Sequence, residues 1–133
     1  MSSKVPSKPQ VLTIDITDRC QMQCVTCSKW QVGGEVMKKE LTTEQWKNVL
    51  KQLREWLGDG FWICFSGGEP FLRSDIFELT EYATDLGFKV SSMSNGFSVE
   101  KLVDKIIDTR FESLNVSLNS IVDKSIHDKS RGR

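Results

Sequence analysis

The sequence predicts an α/β fold built on a parallel β-sheet. Strand-like and helix-like segments alternate along the chain and, after a longer first loop, repeat about every 25 to 30 residues, as right-handed crossover units do. One segment, residues 61–65, is continuously apolar, which is typical of a strand covered on both faces. An open doubly wound sheet and part of a barrel both satisfy this order, and both place functional residues at the carboxyl ends of the strands.

Size and charge exclude several classes of protein. The chain has 133 residues, and 18 Lys and Arg balance 18 Asp and Glu, so no net charge attracts nucleic acid or an anionic membrane. The longest apolar run, residues 61–65, is far shorter than the roughly 20 residues that span a bilayer. Residues 1–9 lack the apolar stretch of a signal peptide, so we expect a cytoplasmic protein with reduced thiols.

The first strand is predicted over residues 11–17, where Leu12, Ile14 and Ile16 alternate with polar residues. Residues 1–9 carry Ser, Lys and Pro without periodicity and are expected to be a flexible leader to a domain over residues 10–133. The strand runs directly into a segment that contains three of the four cysteines. These cysteines are therefore expected on the loop that leaves its carboxyl end.

The next unit is a loop over residues 28–40, a helix and a buried strand. Thr42 and Gln45 form a capping-box pattern for the helix, which is expected to end at residues 58–60. The strand over residues 61–65 is expected to end at Gly67 and Gly68.

Two further units follow. Ser74 is predicted to cap a second helix that ends at Gly87, and a third strand covers residues 88–93. Ser98 is predicted to cap a third helix, and a fourth strand covers residues 114–118. The tail from residue 119 is polar, and a helix could begin within residues 123–128. Polar or glycine-containing motifs thus follow all four strands and are expected on one rim.

Cys20, Cys24 and Cys27 have the spacing Cys-x3-Cys-x2-Cys, which places three thiolates on one short loop. Three thiolates can bind three corners of an iron-sulfur cube and leave one iron free for a small chelating molecule. A structural zinc site or zinc-stabilised interaction module completed by His127 is an alternative. Another is an iron-sulfur electron carrier or redox sensor with Cys64 as fourth ligand, although Cys64 lies in the apolar strand and is interpreted as a core residue.

The turn after the second strand, residues 66–70, contains two glycines that let the backbone approach a ligand closely. Exposed amide groups and the Glu69 carboxylate could bind a charged ligand, with the carboxylate as acceptor for an ammonium group. An ordinary strand-to-helix turn is the alternative interpretation.

Taken together, these motifs resemble the radical S-adenosylmethionine (radical SAM) enzymes. The resemblance rests on the three cysteines, on Gly67-Gly-Glu-Pro70, on Ser94-Asn-Gly96 and on Val116-Ser-Leu-Asn119, each after successive predicted strands. Residues 127–132 also resemble a His-Asp-x-x-Arg-Gly segment of the branch that modifies peptides and matures sulfatases. The implied fold is a parallel-sheet partial (β/α) barrel, truncated here to about four strands and three to four helices.

The resemblance implies a 4Fe-4S cluster on Cys20, Cys24 and Cys27, with S-adenosylmethionine chelating the remaining iron. An electron from a reduced flavodoxin or ferredoxin would cleave S-adenosylmethionine, and the 5'-deoxyadenosyl radical would abstract hydrogen from a substrate, a peptide or protein among the candidates. The implied cofactor-binding residues are Gly67, Gly68, Glu69 and Pro70 for the methionine ammonium, Asn95 near the cofactor, Ser117 and Asn119 near the ribose or carboxylate, and Thr26, where the family often has an aromatic residue near adenine.

Length is the main departure from the family. The family core has six strand-helix units, whereas this sequence supplies about four strands, so we expect the N-terminal portion of such a domain without its last strands. The fourth strand would then have an exposed edge, which predicts self-association through it.

Overall fold

Four parallel strands form one sheet in the order β1-β2-β3-β4. The structure is a computed structural model, and it describes residues 9–31 and 40–132. The strands are β1 (Val11–Thr17), β2 (Trp62–Gly67), β3 (Lys89–Ser94) and β4 (Ser113–Val116). Because consecutive strands are neighbours and parallel, each connection crosses over the sheet, as the sequence predicts.

Within residues 9–31 and 40–132, four α-helices lie between or after the strands. They are α1 (Thr43–Leu57), α2 (Ile76–Asp85), α3 (Val99–Asp108) and α4 (Lys124–Ser130), with short 3-10 turns at Lys29–Gln31 and Pro70–Leu72. The alternation of four strands and four helices confirms the predicted α/β, partial-barrel class. No helix in the described ranges has the length and apolar character needed to cross a membrane.

The core lies between the sheet and the first two crossover helices. Ile63 and Phe65 of β2, Leu50 of α1 and Leu79 of α2 are fully buried. Side chains alternate along a strand, so Ile63 and Phe65 share the face that α1 and α2 cover. Cys64 points to the opposite face and is also buried, at 4% exposure, as expected for a strand covered on both sides.

The capping box that the sequence predicts at the start of α1 is present. The Thr42 hydroxyl accepts a hydrogen bond from the Gln45 backbone N–H at 3.3 Å, and the Thr42 backbone N–H donates to the Gln45 side-chain oxygen at 2.9 Å. Two orphan N–H groups are thereby satisfied, and Gly58 ends the helix as expected.

Several predicted boundaries need correction. β2 begins at Trp62 rather than at residue 61, and it ends at Gly67 as predicted, with Ser66 and Gly67 still paired with β1. Ser74 does not cap α2: Asp75 holds the cap position, and its side chain makes no capping bond because it binds Arg73 and the Thr43 hydroxyl instead. β4 ends at Val116 rather than residue 118.

The predicted starts of the last two helices can also be compared with the structure. Ser98 is at the cap position of α3, but its side chain makes no capping hydrogen bond. The tail helix that could begin within residues 123–128 is α4, which Asp123 caps through the N–H groups of Ser125 and Ile126. The predicted leader, apart from Pro9, and residues 32–39 of the predicted loop lie outside the described residues.

Candidate functional site

A cavity of about 200 Å³ opens at the carboxyl edge of the sheet, where the four predicted motifs meet. All the predicted site residues except Glu69 and Asn119 line it: Cys20, Cys24, Cys27, Thr26, Gly67, Gly68, Pro70, Asn95 and Ser117. The three cysteines thus share one cavity with residues that follow β2, β3 and β4. This grouping is the arrangement expected when parallel strands bring their carboxyl ends to one rim.

The cysteine loop, residues 18–28, leaves β1 at an irregularity in strand pairing. Asp15 pairs with Ser66, and Thr17 pairs with Gly67, so β1 has one extra residue at this point. Such a bulge redirects the chain and is frequent beside functional sites. Along the loop, Cys20 and Cys24 are half-buried and Cys27 is exposed.

Residues that flank the cysteine loop form hydrogen bonds across it and to it. The Lys29 ammonium donates to Asp15 at 2.8 Å and also to Asp18. The hydrogen bond to Asp15, followed by that to Asp18, raises the pKa of Lys29, so the amine stays protonated. The Trp30 indole N–H donates to the Cys24 carbonyl at 3.1 Å. The loop therefore has a fixed conformation although it contains no regular secondary structure.

Each of the three thiols accepts a hydrogen bond from a different part of the chain. The Lys29 backbone N–H lies 3.4 Å from Cys27 Sγ, and the Asn95 amide nitrogen lies 3.7 Å from Cys20 Sγ. An Arg131 guanidinium nitrogen lies 3.7 Å from Cys24 Sγ. The three sulfurs are therefore oriented by donors that come from the cysteine loop's own end, from the segment after β3 and from the end of α4.

Two glycines bring the turn after β2 into direct backbone contact with the cysteine loop. The Gly68 N–H donates to the Thr17 carbonyl and the Glu69 N–H to the Arg19 carbonyl, both at 2.7 Å. A Cβ on Gly67 would lie 2.1 Å from the Thr17 oxygen, and one on Gly68 would lie 2.1 Å from the Arg19 oxygen. Gly67 also has a φ of +118°, which disfavours any other residue. Only glycine fits this close approach.

Glu69 is fully buried behind the cavity and connects the ends of two strands. One carboxylate oxygen accepts from the Ser94 hydroxyl at 3.0 Å and the Phe71 N–H at 3.3 Å, and the other from the Asn95 N–H at 2.7 Å. Burial raises the pKa of Glu69, and the hydrogen bonds from Asn95, Ser94 and Phe71 oppose that shift. Both oxygens are engaged within the chain; a role as ammonium acceptor stays a prediction.

Ser117 and Asn119 diverge after β4. The Ser117 backbone N–H donates to the Ser94 carbonyl at 2.9 Å, which keeps Ser117 at the cavity. Asn119 donates its backbone N–H to His127 Nδ1 at 3.3 Å and does not line this cavity. His127 lines a separate hollow of about 480 Å³, together with Met22 and Phe97. The histidine proposed in the zinc alternative thus lies outside the cavity that the three cysteines share.

The chemistry of three cysteine thiols fits an iron-sulfur cluster. Among residues 9–31 and 40–132, no three side chains of His, Cys, Asp or Glu are grouped closely enough to hold one metal ion. A cube bound by three cysteines does not require such convergence, because each thiolate binds a different iron. Thiolates are also the ligands that iron-sulfur clusters select.

Sequence reasoning missed Ser66, Met93, Ser94 and Arg131 among the residues that line the cavity. Ser66 and Ser94 are the first residues of motifs that the sequence does point to, residues 66–70 and 94–96, but neither serine was assigned a role. Arg131 belongs to the His-Asp-x-x-Arg-Gly segment, in which the sequence assigns this residue no role. Met93 has no sequence signal.

The chain is similar in sequence to known proteins. A sequence model described as the radical SAM superfamily matches residues 14–133. PqqA peptide cyclase from Bradyrhizobium diazoefficiens is 44% identical over 79 residues, which are 59% of this chain and 20% of that protein. AdoMet-dependent heme synthase from Methanosarcina barkeri is 31% identical over 125 residues, which are 93% of this chain and 35% of that protein. The chain therefore spans about a third or less of the length of these curated relatives.

Proposed function

The chain belongs to the radical SAM superfamily, and from this premise we propose that it is the cofactor-binding part of a radical SAM enzyme. The proposed cofactors are a 4Fe-4S cluster bound by Cys20, Cys24 and Cys27 and a molecule of S-adenosylmethionine beside it. The observation that carries the proposal is the shared cavity, which brings the three thiols together with the glycine turn and the ends of β3 and β4.

The residues present fit both groups. Three half-buried or exposed thiols supply soft ligands for three irons, so one iron stays open to another molecule. Gly67 and Gly68 leave the cavity wall without side chains where the backbone passes the cysteine loop. The missing side chains let the cysteine loop pack directly on this turn, which places the three thiols beside the residues proposed to hold S-adenosylmethionine.

Bound by Cys20, Cys24 and Cys27, the cluster would supply the electron for reductive cleavage of S-adenosylmethionine and so make radical chemistry on a substrate available. The chain's own residues bind and orient these groups. Glu69 fixes the Asn95 backbone by its 2.7 Å hydrogen bond, which holds the Asn95 amide toward Cys20. Asn95 and Ser117 are proposed to contact the cofactor, and Thr26 to contact adenine through its methyl and hydroxyl groups.

For the natural electron donor and for the substrate, the proposal names a class of molecule. A reduced flavodoxin or ferredoxin is proposed to donate the electron, because this reductive cleavage requires a low-potential one-electron donor. A peptide or protein is the proposed substrate class, and the name of the PqqA peptide cyclase relative supports it. Self-association through β4, an edge strand of the sheet, also stays a prediction.

Anaerobic reconstitution with iron and sulfide tests this function. Electron paramagnetic resonance (EPR) of the reduced protein is expected to show a 4Fe-4S signal that shifts when S-adenosylmethionine is added. Cys24→Ser should abolish the signal, whereas the matched control Cys64→Ser should keep it, because Cys64 lies outside the cavity. A signal without a shift that is lost in Cys64→Ser would favour a four-cysteine electron carrier. Zinc bound in place of iron would contradict the proposal.

A further inference from the structure

Arg131 places a positive charge against one of the three thiols. Its guanidinium lies 3.7 Å from Cys24 Sγ, across 107 positions of sequence, and lines the cavity. Within the parts of the chain that the structure describes, its Nε is buried without a hydrogen-bond partner. The guanidinium charge of Arg131 therefore faces the Cys24 sulfur.

The backbone around Arg131 is anchored to the cysteine loop on both sides. The Val25 N–H donates to the Ser130 carbonyl at 3.1 Å. Gly132 has a φ of +72°, and a Cβ there would lie 2.2 Å from the Gln23 carbonyl oxygen. Because both flanking residues touch the loop, the position of Arg131 is set by the main chain and not by its own side-chain contact with Cys24.

The donors to the other two thiols are neutral. Cys27 Sγ accepts from the Lys29 backbone N–H, and Cys20 Sγ accepts from the Asn95 amide. A guanidinium stays charged at all relevant pH values, and hydrogen bonds from charged donors are roughly twice as strong as neutral ones. Cys24 is thus the thiol at which this chain adds charge as well as a hydrogen bond.

We propose that Arg131 is a positioning residue for Cys24 whose charged hydrogen bond to the thiolate makes the cluster easier to reduce. This inference rests on the proposed function. Reduction adds one electron to the cluster, and no bond or proton moves at Arg131. The added negative charge is stabilised by a nearby positive donor, since hydrogen bonds to the sulfurs and local charge set the potentials of iron-sulfur clusters.

The test is a redox titration of the reconstituted protein, with dithionite as reductant and the reduced cluster measured by EPR. Arg131→Met removes the charge and the donor but keeps an unbranched side chain. We expect about a tenfold lower ratio of reduced to oxidised cluster at a fixed potential, which corresponds to about 59 mV for one electron. Arg131→Lys should restore most of the difference, because lysine keeps the charge and can donate a hydrogen bond.

Arg110→Met is the matched control. Arg110 binds Glu81 and Asp85 on the surface and lies outside the cavity, so its loss changes net charge equally without touching a thiol. Its midpoint potential should equal that of the unmodified protein. An Arg131→Met midpoint equal to the control would overturn the inference, because a merely structural residue would leave the potential unmoved.

Two further outcomes are decisive. If Arg131→Met stays folded by circular dichroism but loads little iron, the midpoints of Arg131→Gln and Arg131→Lys are compared. A lower midpoint for the neutral glutamine supports the inference, and equal midpoints refute it. If the unmodified protein forms no cluster, the proposed function itself fails. If the unmodified protein forms a cluster whose midpoint potential is unchanged in the Arg131 variants, only the further inference fails.

Discussion

Replacing Gly68 with alanine tests whether the cavity depends on direct backbone contact between the β2 turn and the cysteine loop. The added Cβ would lie 2.1 Å from the Arg19 carbonyl oxygen and 2.6 Å from its carbon, both backbone atoms that cannot rotate away. A normal carbon–oxygen contact needs about 3.3 Å, so the two segments must separate by about 1 Å. That separation stretches the 2.7 Å hydrogen bond between the Glu69 N–H and Arg19.

The expected loss of stability is about 1.5–3.5 kcal/mol. Overpacking costs roughly 1–3 kcal/mol and a weakened buried hydrogen bond about 1 kcal/mol, while alanine returns about 0.5 kcal/mol by restricting the unfolded chain. Gly68 does not have a positive φ, so no backbone strain adds to this sum. The displaced loop should also bind less iron on reconstitution, because the three thiols would no longer face the cavity together.

Urea unfolding followed by circular dichroism, with iron per chain measured separately, provides the assay. Gly60→Ala is the control: Gly60 has a φ of +68°, but an added Cβ would meet nothing within 4 Å, so only a backbone cost of about 1 kcal/mol is expected and iron loading should not change. Equal losses of stability and equal iron contents for the two variants would show that the close approach at Gly68 is unnecessary.

Three further predictions concern stability, each measured by urea unfolding. Burial would raise the pKa of Asp75, but the hydrogen bond from Arg73 and other polar contacts hold that pKa below 3.8. Asp75→Asn should therefore cost about 3 kcal/mol of stability at neutral pH. The difference in stability between the two proteins should shrink as the pH falls below 3.8. Burial raises the pKa of Glu69 above 4.5, so protonation of Glu69 stabilises the fold fully below pH 4.5, and this stabilisation is lost as the pH rises. The unmodified protein should therefore gain stability relative to Glu69→Gln on acidification from neutral pH toward 4.5. A stability difference that does not depend on pH would contradict this. Thr42→Ala should cost about 1 kcal/mol, whereas Ser98→Ala, at a cap position without a side-chain bond, should cost almost nothing.

The fold was accessible from the sequence where local chemistry determines it. The capping box of Thr42 and Gln45 depends on residues three positions apart, and it is present as predicted. The glycine pair likewise marks the end of β2, where Ser66 and Gly67 pair with β1 beyond the apolar run. Asp75, not Ser74, is at the cap position of α2, and its carboxylate accepts a hydrogen bond from Arg73 instead of capping the helix. The local sequence pattern does not reveal this choice of partner.

The site was predictable in its location and only partly in its contacts. Parallel strands bring their carboxyl ends to one rim, so motifs after four strands had to approach each other, and Cys20 and Ser117 do share a cavity. The burial of Glu69 was not predictable, because it depends on β3 supplying hydrogen-bond donors from Ser94 and Asn95. Arg131 was missed for the same reason: its partner is 107 positions away in sequence.

These long-range contacts connect cofactor binding to the stability of the whole sheet. The cysteine loop has no strand or long helix of its own, and it is held by N–H groups that follow β2, by the Asn95 amide after β3 and by residues 130–132 after β4. All three supports follow strands of the sheet, so the folded chain offers the thiols in an arrangement that the unfolded chain lacks. A ligand that binds only this arrangement stabilises the fold by an amount that grows with the logarithm of its affinity. Reconstitution with iron and sulfide should therefore raise the unfolding midpoint, and substitutions that loosen any one support should lower both iron affinity and stability together.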